Sequence, residues 1–231
     1  MDSSFLEIRQ VAKVFSPGQD VELKALSHID LNIDRGEFAV LSGPSGSGKT
    51  TLLNIIGGLD GASSGEVVLD GITVTGLDER QLSGLRRDHI GFVFQAYNLI
   101  PVLTARENIE YVMRLQGHGQ EECNWRIEEV AGKLDISHLL DKLPNHLSGG
   151  QQQRVAVARA VASKPKLILA DEPTANLDSK SAANLMDMMQ QLNEDEGITI
   201  VFSSHDPLVI SKAKHSIVLR DGEVVANEHV R

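Results

Sequence analysis

The chain of 231 residues has one cysteine, Cys123, so no disulfide can form within it, and the lone thiol suits a reducing compartment. No Cys cluster of zinc-binding spacing is present. No run approaches the ~18 apolar residues that cross a bilayer, so a membrane role would have to pass through a partner. The opening residues, Met1-Asp2-Ser3-Ser4, are acidic and polar with no apolar run behind them, unlike a secretory leader. Positive charge is also scarce. A formal net charge of -10 argues against general nucleic-acid binding, which demands a basic surface. Internal repeats, low-complexity tracts and long linkers are missing. What is left is ordinary globular composition, and enough length for one sizeable α/β core with a subdomain.

The strongest positive feature is Gly43-Pro44-Ser45-Gly46-Ser47-Gly48-Lys49-Thr50. The spacing G-x-x-x-x-G-K-[ST] is that of a phosphate-binding loop. Phosphate oxygens need many donors close together, and backbone N–H groups converge only where side chains are small. Lys49 can reach the outer phosphates, and the Thr50 hydroxyl can ligate Mg²⁺. The flanks agree: residues 38–41 (Phe-Ala-Val-Leu) read as a buried strand, and 51–56 as a helix whose N-terminal N–H groups face the phosphate.

Residues 5–15 alternate as a strand, 16–20 form a turn cluster, and 21–33 read as a second strand, giving a small antiparallel layer before the loop. Phe15 could stack on a nucleobase or simply be buried at a strand end. Residues 66–74 read as a hairpin about Asp70-Gly71, 82–87 as a short polar helix and 90–94 as a strand ending at Gln95. Residues 96–163 are expected to be mostly helical. Thr104 and Glu107 form a capping box, opening a helix with Ile109, Val112, Met113 and Leu115 on its apolar face. A further helix over 123–134 carries Trp125 as an expected packing anchor. Another runs from Leu147-Ser148-Gly149-Gly150-Gln151 to about Ser163. Residues 167–170 (Leu-Ile-Leu-Ala) form a strand apolar throughout, as in a parallel sheet covered on both faces. A helix over 179–192 turns Leu185, Met188, Met189 and Leu192 inward. A strand over 198–202 and a terminal hairpin about Asp221-Gly222 complete the chain.

Parallel α/β sheets gather functional groups at strand C-termini. The strand 167–170 delivers Asp171, suited to holding Mg²⁺, and Glu172, placed to polarise a water for attack on a γ-phosphorus. Gln95 and His205 also end strands. An amide there can ligate Mg²⁺ and orient water, and an imidazole can donate to a phosphate oxygen, although such groups often serve only local hydrogen bonds. Ser148 to Gln151 place small residues and a hydroxyl at a helix N-terminus, where donors and partial positive charge favour an anion. The other histidines read as surface or packing residues.

In order along the chain, these motifs resemble the nucleotide-binding subunit of an ATP-binding cassette (ABC) transporter. Residues 43–50 match Walker A, Gln95 the Q-loop, and 147–151 (Leu-Ser-Gly-Gly-Gln) the signature motif letter for letter. Residues 167–172 match Walker B with its catalytic Glu, Asn176-Leu177-Asp178 the D-loop, and His205 the switch histidine. Phe15 falls where the family places the base-stacking aromatic. Residues 54–60, 90–101 and 147–154 look like the lipoprotein-releasing and macrolide-exporter branch. Ala175 departs from that branch, which often has Gly; little should follow unless the backbone there is left-handed.

The resemblance implies an α/β P-loop NTPase fold: a parallel core sheet, an N-terminal antiparallel β subdomain and an inserted helical subdomain. Residues 1–95 and 164–231 would form the core and 96–163 the helical insert. It implies ATP and Mg²⁺ as ligands, with Glu172, His205 and Gln95 catalytic and Thr50, Gln95 and Asp171 on the metal. Phe15, residues 43–51 (Gly43, Pro44, Ser45, Gly46, Ser47, Gly48, Lys49, Thr50, Thr51), Ser148, Gly149, Gly150, Gln151 and Asp178 would hold nucleotide. In the family, phosphate loop and signature of one chain lie too far apart to share a nucleotide. Two copies head to tail would complete two sites. Partners would be that second copy and an integral membrane permease, with no nucleic acid, at the cytoplasmic face of a bacterial inner membrane. Leu99, Ile100, Val102 and Tyr111 could form the groove for the permease or be buried between subdomains. A cell-division regulator is a related alternative. Repair, chromosome or translation ATPases usually carry a coiled coil, a zinc module or a second cassette, and residues 96–146 leave no room for one. A P-loop kinase or GTPase has no use for the signature, and no Asn-Lys-x-Asp motif is present.

Overall fold

The computed structural model describes residues 4–18 and 21–229. The polar start at residues 1–3 and the end of the first expected turn, Gln19-Asp20, lie outside the described residues. Strands β1 (Leu6–Gly18) and β2 (Val21–Ile33) form a long antiparallel ribbon, with Leu6 opposite Ile33 and Phe15 opposite Leu23. β4 (Ser64–Leu69) pairs with the other edge of β1, and β5 (Ile72–Thr73) with β4, giving a sheet in the order β2-β1-β4-β5. Alternation along β1 and β2 puts Leu6, Ile8, Val11, Ile29, Leu31 and Ile33 inside and Arg9, Asp30 and Asn32 outside.

The second sheet has the order β10-β9-β3-β8-β7-β6. Its members are β3 (Phe38–Ser42), β6 (Ile90–Val93), β7 (Leu167–Ala170), β8 (Thr199–Ser204), β9 (His215–Arg220) and β10 (Glu223–His229). All pairs are parallel except the terminal hairpin β9–β10. Every residue of β3, β7 and β8 is buried, as continuous apolar strands covered on both faces must be. One face packs on the antiparallel sheet and α1 (Lys49–Ile56), with Leu52, Ile55 and Ile56 against Leu41, Leu169 and Val201. The other packs on α3 (Ala105–Leu115), α4 (Gln120–Lys133), α5 (Gly149–Ala162) and α6 (Ser179–Glu196).

Capping chemistry sets the helix limits. Thr104 and Glu107 make the expected capping box at α3. Asp78 and Gln81 make another, starting α2 (Glu79–His89) one turn earlier than its apolar pattern implies. α6 outruns its expected end and stops at Gly197, whose φ of 65° is the left-handed cap that glycine allows. Met186 takes the fully buried position on α6, and Met188 is half-buried. Ala175 is absent from the left-handed region.

Trp125 is the clearest correction. It is 62% exposed, with the Lys164 ammonium 5.9 Å from its ring centre. The inward face of α4 belongs instead to Cys123, Ile127, Val130 and Ala131, all 0% exposed. Leu115 is likewise exposed. Arg126 on the inward side ties three helices together. It donates to the Val161 and Ala162 carbonyls at the end of α5 and to Glu196 at the end of α6. Burial opposes its charge, but the Glu196 and Glu129 carboxylates hold its pKa above the ordinary value.

Ile127→Ala should therefore cost about 2–5 kcal/mol. Trp125→Ala should stay within about 1 kcal/mol, because it loses only an exposed cation–π contact. Denaturant unfolding of the two variants measures both, and a larger loss at Trp125 would restore it as an anchor.

Candidate active site

The strand register assembles the site. β6, β7, β8 and β3 are neighbours running in one direction, with Val93 beside Ala170, Ala170 beside Phe202, and Ser204 beside Ser42. The next residues of each chain segment therefore emerge at one sheet edge: Gln95, Asp171 and Glu172, His205, and the loop beginning at Gly43. This is the carboxyl edge where open α/β sheets bind ligands.

The loop is fixed by the protein's own backbone. Gly43 has φ 138°, and a Cβ there would lie 2.0 Å from the Leu219 carbonyl oxygen. Gly48 has φ 102°, and its Cβ would meet the Ala25 carbonyl oxygen at 2.7 Å. Neither position accepts another residue without moving strand backbone. Lys49 is buried at 6% exposure, and its ammonium donates to the Gly43 and Pro44 carbonyls at 2.8 and 2.9 Å. The Ser47 hydroxyl is buried among these groups without a hydrogen-bond partner. α1 begins at Lys49 with no side-chain cap, so its first N–H groups open toward the loop.

A cavity of about 310 Å³ lies over this cradle. Its walls are Phe15, Leu23, Lys24 and Ala25 on one side, the Ser45 to Thr51 segment below, and Glu172 opposite. Phe15 is 38% exposed, and Lys13 stands 4.7 Å from its ring centre.

Glu172 has φ 43°, an unfavourable conformation for a residue with a side chain. Its N–H donates to Ser203 Oγ at 2.8 Å, and the Ser203 hydroxyl donates to Asp171 Oδ1 at 2.6 Å. Ser203 thus ties the Asp171 carboxylate and the Glu172 backbone to the neighbouring strand. Glu172 Oε1 lies 3.2 Å from His205 Nδ1. The order Phe-Ser-Ser-His at the end of β8 carried the signal for Ser203, but only the strand pairing shows which hydroxyl faces the acids. Thr50, Asp171 and Gln95 offer a hydroxyl, a carboxylate and an amide oxygen, the hard donor set that Mg²⁺ takes. Gln95 is exposed, and its carbonyl accepts from the Asn176 amide at 3.0 Å.

Sequence reasoning also passed over Arg159. Tyr97 and Asn98, just past Gln95, are both left-handed, with φ 63° and 48°. Arg159 on α5 donates to both their carbonyls, at 3.1 and 2.6 Å. Burial lowers the pKa of this guanidinium from its ordinary value.

The signature segment stands elsewhere. Ser148 caps α5, accepting from Gln151 N–H, while the Gln151 side chain accepts from Ser148 N–H. None of Ser148, Gly149, Gly150 or Gln151 lines the nucleotide-sized cavity. Asp178 caps α6 and is also outside it; the Ser181 hydroxyl and nearby N–H groups lower its pKa.

A separate cavity of about 400 Å³ lies between α2, β6, α3 and α5. Ile100 and Tyr111 line it with Leu59, Phe92, Phe94 and Leu115. Leu99 packs instead against the core, and Val102 is 79% exposed away from this wall.

A P-loop with a strand-borne acid pair and a separate signature helix defines a class, and comparison identifies it. The ABC transporter family profile matches residues 26–175, and the chain belongs to that family as an ATP-hydrolysing cassette. It is similar to the ABC transporter ATP-binding protein MJ0796 of Methanocaldococcus jannaschii, at 45% identity over 98% of this chain and 97% of that one. A dimeric structure of MJ0796 in a post-hydrolysis state, bound to ADP and Pi, superposes with a TM-score of 0.91 at 44% identity, covering 98% of this chain and 99% of that one. The macrolide export ATP-binding/permease protein MacB of Campylobacter jejuni is 46% identical over 87% of this chain but only 31% of its own length. The bacitracin export ATP-binding protein BceA of Halalkalibacterium halodurans is 42% identical over 89% of this chain and 81% of its own.

Ser203→Ala should leave the fold intact, lower ATP turnover about 10-fold or more, and change nucleotide affinity little. One hydroxyl holds the acids without reaching the cavity. Steady-state kinetics beside nucleotide titration separates the two effects, and unchanged turnover would remove Ser203 from the site.

Proposed function

We propose that this chain is the ATPase of an export system, pairing with a second copy of itself on ATP and driving a separate membrane subunit. The observation that carries the reading is the separation of phosphate cradle from signature helix. The cavity is walled by Phe15, the loop and Glu172, while Ser148 to Gln151 present an anion-favouring helix start away from it. A head-to-tail dimer would bring the signature of one copy over the cradle of the other. An isologous two-fold arrangement satisfies both sites at once. The dimeric structure of MJ0796 supports this reading.

In the assembled site the base would stack on Phe15, and Lys49 with the loop N–H groups would hold the phosphates. Thr50, Asp171 and Gln95 would hold Mg²⁺, which would supply neutralisation of the phosphate charge. Glu172 would take the proton of the attacking water. His205, beside Glu172, would orient the carboxylate and donate to the γ-phosphate. Ser148, Gly149, Gly150 and Gln151 of the facing copy, with Asp178, would bind the far side of the triphosphate. Loss of the γ-phosphate would then remove the group bridging the two copies.

The groove lined by Ile100 and Tyr111 suits an apolar helix end from the membrane subunit. It lies directly behind the Gln95 to Asn98 segment, so nucleotide and partner would share one stretch of backbone. The named export proteins MacB and BceA favour export of a drug, peptide or lipid-like cargo, and no membrane-crossing helix is found among the described residues. The chain would then work from the cytoplasmic face of the membrane.

Glu172→Gln should give a stable ATP-dependent dimer with turnover reduced about 10²–10⁴-fold, the usual contribution of a general base. Size-exclusion chromatography with scattering reads the state, and a monomer at saturating ATP would sink the two-copy site. Lys49→Ala should abolish tight ATP binding by equilibrium titration; full ATPase activity in that variant would refute the phosphate-loop assignment. Tyr111→Glu should leave basal ATPase unchanged and prevent co-purification with the membrane subunit, and retained co-purification would move the docking face elsewhere.

A further inference from the structure

The amino edge of the parallel sheet, opposite the nucleotide edge, gathers three potential ligands from three chain segments. Glu37 precedes β3, His215 begins β9, and His229 ends β10 directly across the ladder from His215. Glu37 Oε2 lies 2.8 Å from His215 Nδ1, and Glu37 Oε1 lies 3.4 Å from His229 Nδ1. The carboxylate oxygen and the ring nitrogens all fall within 4.8 Å of one another. The two imidazoles stack with centres 4.0 Å apart.

His215 is 1% exposed, and its Nε2 faces Asn227 Oδ1 at 2.5 Å. A neutral imidazole has one N–H. Nε2–H donating to Asn227 Oδ1 is the arrangement that leaves the Nδ1 lone pair free to ligate a metal beside the Glu37 carboxylate. The amide then acts as the outer partner that fixes the tautomer of a metal-bound histidine.

We propose that Glu37, His215 and His229 form a divalent transition-metal site of the Zn²⁺ type, with Asn227 as its supporting residue. Two imidazoles and a carboxylate are borderline donors suited to Zn²⁺, with water as a fourth ligand. Two ligands ~2.0–2.1 Å from one tetrahedral ion stand ~3.3 Å apart. The 2.8 Å His215–Glu37 pair therefore needs to open by only a few tenths of an ångström. His229, 65% exposed on its side chain, has room to turn toward the ion. The bound ion would lock the β9–β10 hairpin to the strand that carries the phosphate loop.

The test uses the whole chain, stripped with a chelator and titrated with Zn²⁺ alone by calorimetry and thermal unfolding. One equivalent should bind and raise the melting midpoint by several degrees, because a ligand that binds only the folded state stabilises it. His229→Ala and Glu37→Gln should each weaken binding at least 10-fold and remove the shift. These two variants decide the matter even if the buried His215→Ala fails to fold. His118→Ala, which deletes the separate surface pair with Glu122, should change nothing. No binding to the parent chain, full binding by Glu37→Gln and His229→Ala, or loss of binding in His118→Ala would each overturn the proposal.

Discussion

The structure depends on one crowded junction of backbone. The phosphate loop is wedged between β2, whose Ala25 carbonyl would meet a side chain at Gly48, and β9, whose Leu219 carbonyl would meet one at Gly43. The hairpin turn between β9 and β10 closes the third side: Gly222 N–H donates to the Ser47 carbonyl and its own carbonyl accepts from Ser27 N–H. Converging N–H donors must be held against their mutual repulsion before any phosphate arrives. Here three neighbouring segments, from both sheets, hold them. This explains why a short ligand loop needs a large scaffold, and why the antiparallel ribbon β1–β2 belongs to the site as well as to the core. It brings Phe15 over the cavity at one end and Ala25 against the loop further along.

The carboxyl edge repeats the same logic with side chains. Glu172 occupies a left-handed conformation that costs of order 1–3 kcal/mol. It is sustained because its N–H is tied to Ser203, whose own proton is given to Asp171. The strain points the Glu172 carboxylate across the cavity from the loop instead of along the strand. Pro173, buried immediately after it, blocks the relaxed alternative of continuing β7.

The fold was legible where one physical signal dominated. Continuous apolar runs marked β3 and β7, and the capping box marked α3. The phosphate loop and strand-end acids could be read because their chemistry demands fixed spacing. Legibility failed where two faces of a helix compete. Trp125 reads as an anchor by size, yet Cys123, Ile127, Val130 and Ala131 fill the inward stripe of α4 and leave Trp125 outside. Relations between distant segments were also hidden. Ser203 and Arg159 are ordinary residues in sequence, and they acquire a role only when β8 lies beside β7 and α5 lies behind the Gln95 segment. Likewise Glu37, His215 and His229 carry no local motif, since the parallel pairing of β3 with β9 and the antiparallel hairpin β9–β10 bring their positions together.

The segment from Gln95 to Ile100 carries the strongest physical link between the nucleotide edge and the apolar groove. Two consecutive left-handed residues, Tyr97 and Asn98, are costly and would relax if unsupported. Arg159 holds both carbonyls, and its half-buried guanidinium has no carboxylate partner among its hydrogen bonds. These two bonds satisfy the guanidinium as they hold the strained pair, so support is mutual. At one end the Gln95 carbonyl is bound by Asn176, next to the acids; at the other Ile100 is bound by Asn108 on α3 through both its N–H and its carbonyl. Phe94 and Ile100, on either side of the strained pair, are groove walls. Both ends of the segment are thus tied by hydrogen bonds, and Arg159 ties its strained middle to α5, whose N-terminus is the signature segment.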